Sequence, residues 1–370
     1  MKTTVVGNFP KVADRGYGTN VIKALNQWQQ QQLSNEGLEQ AFQEVTREVI
    51  AEQERIGIDL LTDGQIRWED LVTPLVKKIQ GFEINGLERF FDNNVYYRRP
   101  IVTKTPVRRD PIFLSDYLFA RGCTSRPVKV VLPGPYTTAV LSEDRYYKKL
   151  QPFLRSLAEI LNEEAQTLAK AGAAFIQFDE PALGFGKPPL KDVLDALEIA
   201  THGIHATRML ATYFGTLSKE MLQALQRAPV EVIGVDVVSD PKMISAIKGV
   251  KWTKALALGC VDARNTKLES VTELHVLFDV ASKLVPEDRL YVNPSCGLEF
   301  LPYEQARQKL QRLVQAVRQY RRGQGVAVST RGRTSPSTRR GARARRGSTA
   351  KRTSSRRPTR STVAVARSRS

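Results

Sequence analysis

Apolar and polar positions alternate along this chain on two scales. Eight short runs are β-branched or otherwise apolar: Thr3–Val6, Asp59–Leu61, Val128–Leu132, Phe175–Phe178, Arg208–Ala211, Val232–Val235, Lys254–Leu258 and Arg289–Val292. Each is followed by Gly, Pro or polar residues, as in Gly7-Asn8-Phe9-Pro10, Asp63-Gly64-Gln65 and Asp179-Glu180-Pro181. Runs of this kind, separated by helical stretches, are how buried parallel strands read. The stretches between them carry helical spacing. Leu38, Phe42, Val45 and Val49 fall on one face, as do Leu154, Leu157, Leu161, Ala165 and Leu168, with Gly172 placed to close that helix. Ala306, Leu310, Leu313, Val317 and Tyr320 predict a last amphipathic helix. The pattern predicts an α/β fold, a (β/α)8 TIM barrel. Residues 83–110, rich in Asn, Arg and Tyr, read as an insertion after the second strand, a hairpin flap over the barrel mouth.

Composition divides the chain. Of its 370 residues, 56 are Lys or Arg and 38 Asp or Glu, a formal charge of +18. Fourteen of the cations lie in residues 324–370, which hold no acid, so residues 1–323 carry only +4. The predicted organisation is a barrel over 1–323 and a disordered Arg/Ser/Thr-rich basic tail over 324–370, too poor in bulky apolar residues to offset the entropy of ordering. Nucleic acid could be bound only through that tail, by counterion release. Three cysteines, Cys123, Cys260 and Cys296, imply no disulfide framework. No apolar stretch approaches the roughly 18 residues of a membrane span, and the chain opens on a strand-like run rather than a leader. A cytoplasmic protein without a membrane partner is the expectation.

In a barrel the chemistry sits at the C-terminal strand ends. The sharpest such segment is Phe175-Ile176-Gln177-Phe178-Asp179-Glu180-Pro181. Successive strand residues point to opposite faces, so only one of the two acids is expected to face the mouth. A carboxylate there can bind a substrate amine or act as a general acid. Asn8, Gln65, Arg67 and Trp68 supply an amide pair, a cation and an aromatic plane. Asp262 and Arg264 follow the seventh run and suit an anion clamp or an internal ion pair. Cys296, in Asn293-Pro294-Ser295-Cys296-Gly297, reads as a zinc ligand or as a small buried apolar residue. There is no Cys-x-x-Cys or His-x-x-x-His, so spacing alone does not point to zinc.

Taken together, the Gly-x-Phe-Pro type start, Glu54-Arg55-Ile56-Gly57-Ile58-Asp59, Asp63-Gly64-Gln65-Ile66-Arg67, Gln177-Phe178-Asp179-Glu180-Pro181-Ala182-Leu183 and Asn293-Pro294-Ser295-Cys296-Gly297-Leu298 resemble the cobalamin-independent methionine synthase family. The resemblance covers most of residues 1–323. It implies methyl transfer from 5-methyltetrahydrofolate polyglutamate to homocysteine, giving methionine. Asp179 would then be the catalytic residue that binds the amino-acid amine or orients the site. Asn8, Gln65, Arg67, Trp68, Glu180, Asp262 and Arg264 would contact substrate. The family's catalytic barrel holds zinc through a His-x-Cys pair, a Glu and a later Cys. Here Met209-Leu210-Ala211-Thr212-Tyr213-Phe214-Gly215 replaces the His-x-Cys segment, Asp236 stands for the Glu, and only Cys296 matches. Thr212-Tyr213-Phe214 and the segment from Gly259 to Asn265 look instead like the family's zinc-free barrel. A single-barrel enzyme or one half of a split enzyme with a zinc-bearing partner chain both fit. Other readings are a non-catalytic folate- or amino-acid-binding barrel, methyl transfer to another thiol, or decarboxylation as in the related uroporphyrinogen-type barrels.

Overall fold

A computed structural model describes residues 1–11, 20–91 and 96–324. These lie within one compact unit, Met1–Val326. The expected basic tail, 324–370, falls outside the described residues except for its first position.

The strands are β1 (Lys2–Thr3), β2 (Ile79–Arg89), β3 (Tyr96–Arg108), β4 (Val130–Pro133), β5 (Glu143–Asp144), β6 (Phe175–Asp179), β7 (Thr207–Thr212), β8 (Val232–Asp236), β9 (Ala255–Val261) and β10 (Leu290–Pro294). Seven form one curled parallel sheet in the order β1-β10-β9-β8-β7-β6-β4, flanked by helices. This is a TIM-barrel-like arrangement, and seven of the eight apolar runs supply its ladder. The second run behaves differently. Leu60 bridges Thr4 and Leu61 bridges Val128, so this segment touches both edge regions of the sheet through one parallel bridge each. Its shortness has local causes. The helix Asn35–Ile56 ends on Gly57, whose φ of 100° is left-handed. The Gln53 side chain then takes both backbone groups of Thr62, accepting from its N–H (3.1 Å) and donating to its carbonyl (2.9 Å). Little free backbone remains between those two points.

The first run is also shorter as a strand than its apolar pattern predicts. The carbonyls of Val5 and Val6 accept from the side chains of Lys129 (2.7 Å) and Gln177 (2.9 Å) instead of extending the ladder.

The predicted hairpin is present, spanning β2 and β3 with β5 on its edge. It begins four residues earlier than the composition suggests. Phe90, near its tip, is buried and lies 6.0 Å from Phe214 beyond β7.

Helices follow the predicted faces. Leu150–Lys170 buries Leu154, Leu157, Leu161, Ala165 and Leu168, and Gly172 (φ 97°) lies just beyond its end. Tyr303–Gln319 buries Ala306, Leu310, Leu313 and Val317. Val271–Ser282 starts on a reciprocal capping box between Ser270 and Glu273.

Alternation along each strand separates two apolar layers. Ile176, Leu210, Ile233, Leu256 and Val292 belong to the main core, which includes the buried residues of the helices. Leu60, Phe175, Met209, Val232, Ala255, Ala257 and Tyr291 form a second cluster on the other face. On β6 that second face continues from Phe175 through Gln177 to Asp179, from apolar to polar toward the strand's C-terminal end. Among the described residues no helix is long and apolar enough to cross a membrane.

Candidate active site

A cavity of about 610 Å³, counted with its open mouth, lies at the C-terminal strand ends. Its wall includes Asn8, Lys11, Gln65, Trp68, Phe90, Asp179, Tyr213, Phe214 and Glu299. Four of the sequence-predicted residues (Asn8, Gln65, Trp68 and Asp179) are thus brought together.

Asp179 is 2% exposed and held on both oxygens. Gln177 Nε2 donates to Oδ1 (2.6 Å) and the Tyr213 hydroxyl donates to Oδ2 (2.9 Å). Below it Lys129, also buried, donates to Gln177 Oε1 (2.5 Å). Burial pushes the Asp179 carboxyl well above the ordinary carboxylate range, opposed by its two donors and by the Lys129 charge. Burial pushes Lys129 down. Tyr213 is driven up by burial and by Asp179, which keeps it a proton donor.

Glu180, the neighbouring acid, takes a separate place. Its carboxylate accepts from Tyr136 N (2.8 Å), Thr137 N (2.6 Å) and Thr137 Oγ1 (2.6 Å), at the start of the helix Pro135–Val140. A β-carbon on Gly134 would come within 2.2 Å of it, so glycine is what admits the carboxylate. Glu180 is fully buried and absent from the cavity wall. Three donors use its oxygens, which gives Glu180 a helix-capping place outside this cavity wall. Burial raises its carboxyl to about 7 against those donors.

Gln65 is positioned by a tight turn. Its own φ is +49° and that of Gly64 is +73°, while its N–H donates to Asp63 Oδ1 (3.0 Å). A β-carbon on Gly7 would lie 2.2 Å from Gln65 Oε1, so Gly7 leaves the room that this side chain occupies. The side chain is buried, and its Nε2 has no protein hydrogen-bond partner. A buried amide donor in a cavity wall without a protein partner is open to an acceptor in the cavity, a water or a ligand.

Trp68 is 3% exposed and stacks on Phe113 at 5.0 Å, which gives the cavity a rigid aromatic wall. Arg67 is turned away, paired with Glu39 and with Asp116 (3.3 Å) and set over the Phe42 ring. Asp262 accepts from the Arg264 backbone N–H, and the Arg264 guanidinium lies 5.5 Å from the Phe214 ring centre, exposed. Neither Asp262 nor Arg264 is in the cavity wall.

Cys296 and Asp236 do not make a zinc centre. Asp236 accepts from Phe214 N (3.3 Å), Val238 N (2.8 Å), Ser239 N (3.0 Å) and Ser239 Oγ (2.5 Å). Cys296 is fully buried, and its Sγ donates to Gly297 O (3.4 Å). Among the described residues no group of three or more His, Cys, Asp or Glu is arranged to hold a metal. The residues present therefore do not fit the family's zinc.

Sequence reasoning passed over Lys129, Gln177, Tyr213, Phe90 and Glu299. The signal for Lys129 was a lysine inside the apolar run Val128–Leu132. Phe90 and Glu299 had no comparable mark. Glu299 lines the mouth, where burial raises its carboxyl to about 7 with Lys11 opposing the shift.

The family model for the cobalamin-independent synthase catalytic domain matches residues 1–319. Similar proteins include a methionine synthase of Saccharolobus solfataricus, 28% identical over 320 residues, covering 86% of this chain and 94% of that one. A methionine synthase of Pyrococcus furiosus is 30% identical over 333 residues, covering 87% and 93%. In fold, the chain is similar to a B12-independent methionine synthase from Shewanella solved with selenomethionine. That match has a TM-score of 0.73 at 24% identity and covers 87% of this chain and 98% of that one.

Proposed function

The chain belongs to the cobalamin-independent methionine synthase family, and on that premise we propose that it serves methyl transfer from 5-methyltetrahydropteroyl-polyglutamate to homocysteine as the substrate-binding half of a two-chain enzyme. The membership makes it a methyltransferase of this general type. The observation that carries the finer reading is the pairing of a fully equipped amine anchor with a strand end that lacks a metal-binding set. Asp179, oriented by Gln177 and Tyr213, offers a carboxylate to an ammonium group. Gln65 offers an unused N–H to a carbonyl or carboxylate, and Asn8 adds a further amide. Together they complement the amino-acid end of homocysteine. Trp68 and the Phe90–Phe214 pair offer flat apolar surfaces to a pterin. In this reading Leu60–Leu61 acts as the second strand of a closed (β/α)8 barrel, which sets Gln65 opposite Asp179.

Thiol activation is the missing part. A free thiol has a pKa near 8.5 and is mostly protonated at neutral pH. Zinc bound to a thiol removes that proton outright. With Asp236 saturated and Cys296 buried, that service is assigned to a zinc-bearing partner chain. The second reading, methyl transfer to a different thiol, rests on the same unused donor at Gln65, which accepts several acyl or carboxylate ligands.

The test uses the purified full chain: homocysteine binding by calorimetry, zinc content, and methionine formation from 5-methyltetrahydropteroyl-triglutamate. Binding without zinc, and turnover only on adding a zinc-bearing barrel, supports the reading. Turnover by this chain alone with one zinc bound overturns the two-chain assignment. Absence of homocysteine binding overturns the substrate.

A further inference from the structure

Beneath the cavity, Lys129 has a place that binding of substrate does not by itself require. It is 2% exposed and sits in a strand segment whose neighbours are Val128 and Val130. Its ammonium donates to Val5 O (2.7 Å) and to Gln177 Oε1 (2.5 Å). Bare burial of a lysine is costly, so a charge held here is compensated by what surrounds it.

The hydrogen-bond directions follow from donor and acceptor inventories. An ammonium only donates, so the end of the Gln177 carboxamide that meets Lys129 is its oxygen. The nitrogen end is then turned toward Asp179 Oδ1 (2.6 Å) and Val6 O (2.9 Å). Reversed, the amide would set its NH2 against the ammonium and its oxygen against the Asp179 carboxylate. Lys129 at the oxygen end, and Val6 O with Asp179 at the nitrogen end, thus select one direction of Gln177, and Gln177 in turn holds Asp179.

Charge completes the argument. The titratable groups acting on Asp179 come from several elements. Glu180 follows it just beyond β6 and Glu299 follows β10; the field of Asp179 opposes the ionisation of both. Tyr213 follows β7 and donates a hydrogen bond. Lys129, from the segment before β4, is the cation whose field favours the Asp179 anion.

We propose that Lys129 is a positioning residue for substrate binding: it anchors the oxygen end of the Gln177 carboxamide, whose other end holds Asp179, and places a buried cation beneath that pair. Lys129 lies outside the cavity wall and acts through Gln177. The consequence for substrate rests on the reading of Asp179 as the amine anchor.

The experiment compares full-length wild type, Lys129→Met, Lys129→Gln and Asp179→Asn. Two quantities are read: L-homocysteine affinity by calorimetry between pH 6 and 9, and the titration of the Asp179 carboxyl by carbon-13 NMR, assigned from its loss in Asp179→Asn. Lys129→Met is expected to weaken affinity at least about tenfold at pH 7 and to raise the Asp179 midpoint by about one pH unit or more, the affinity recovering as pH rises. Lys129→Gln keeps a donor for Gln177 but loses the charge. It is expected to raise the midpoint as well, with a smaller loss of affinity, and its retained donor protects folding should Lys129→Met not fold. An unchanged midpoint in a folded Lys129 variant, checked by thermal melting, overturns the proposal. If Asp179→Asn binds homocysteine as wild type does, the amine-anchor reading fails on its own, while the NMR midpoint still reports on Lys129.

Discussion

The inner face of the sheet has an apolar end and a polar end, built on the same strands. At one end Phe175, Met209, Val232, Ala255 and Tyr291 form a small cluster of their own, with the Phe175 and Tyr291 rings edge to face at 5.7 Å. Two and four residues further along β6, the same face carries Gln177 and Asp179. The first end is held by packing, which is non-directional and tolerant of exchange among similar shapes. The second is held by directed hydrogen bonds, each of which leaves a costly orphan if one partner is removed. The difference teaches where each kind of change will register. Trimming the apolar end should cost stability and leave binding chemistry intact. Trimming the polar end should cost binding out of proportion to its cost in stability.

The sharpest test contrasts two substitutions on β6. Phe175→Ala is expected to lower unfolding free energy by about 3–4 kcal/mol in urea denaturation, through the cavity it leaves, with homocysteine affinity unchanged in the folded fraction. Asp179→Asn should do the reverse, lowering affinity by about a hundredfold, equivalent to about 2.7 kcal/mol, with a stability loss smaller than that of Phe175→Ala. Equal effects of both substitutions on stability and on binding would erase the distinction.

Glu180→Gln probes whether the second acid belongs with the packing end. One of the donors at Tyr136 and Thr137 would lose a partner, so about 1–3 kcal/mol of stability should go, with little change in affinity. A binding loss larger than the stability loss would return Glu180 to the substrate site.

The dependence of stability on pH is the next, smaller effect. Burial raises both Asp179 and Glu180 in the folded state, so the native protein binds more protons than the unfolded chain above the usual carboxylate pKa. Stability is then greatest at low pH from these two groups and falls as pH rises from about 4 toward 7. Denaturation curves across that window should flatten in Asp179→Asn. A stability that rises through the window in wild type and not in the variant would contradict the assignment. The smallest effect is expected at Arg67→Ala. Its ion pairs with Glu39 and Asp116 are partly exposed, so stability should change by about 1 kcal/mol or less, and homocysteine affinity should not move.

How far these two ends could be read from sequence follows from the physics of each. Apolar runs and helical spacing are periodic, so the strands, the long helices and their buried faces were visible. So was the prediction that Asp179 and Glu180 part company, because adjacent strand residues must. Which one turned inward, and that the other would cap a helix, depended on Gly134 and on the backbone N–H groups of Tyr136 and Thr137, which no local pattern announces. The second run, Asp59–Leu61, pairs through Leu60 and Leu61, and the Gln53 side chain takes the Thr62 backbone just beyond it, a long-range use of backbone that the apolar pattern does not carry. Lys129 was written plainly into an apolar run, yet its meaning depends on Gln177, 48 residues away. Arg67, read as a pocket cation, lines a neighbouring pocket rather than the cavity of Asp179, and pairs with Glu39 and Asp116 on two helices.

The two-residue segment Leu60–Leu61 carries a consequence of its own. Every other junction of the sheet is a ladder of parallel pairs, whereas here one bridge on each side does the joining. Beside the seven-stranded sheet, this is the segment with the least backbone pairing to its neighbours. Thermal breathing concentrates where few backbone bonds must break together. Asp63, Gly64 and Gln65 follow that segment directly, so the part of the wall that holds the unused amide donor is fastened by hydrogen bonds of Gln53 with Thr62 and of Phe9 with Gly64, while Asp179 is set in a ladder on both sides.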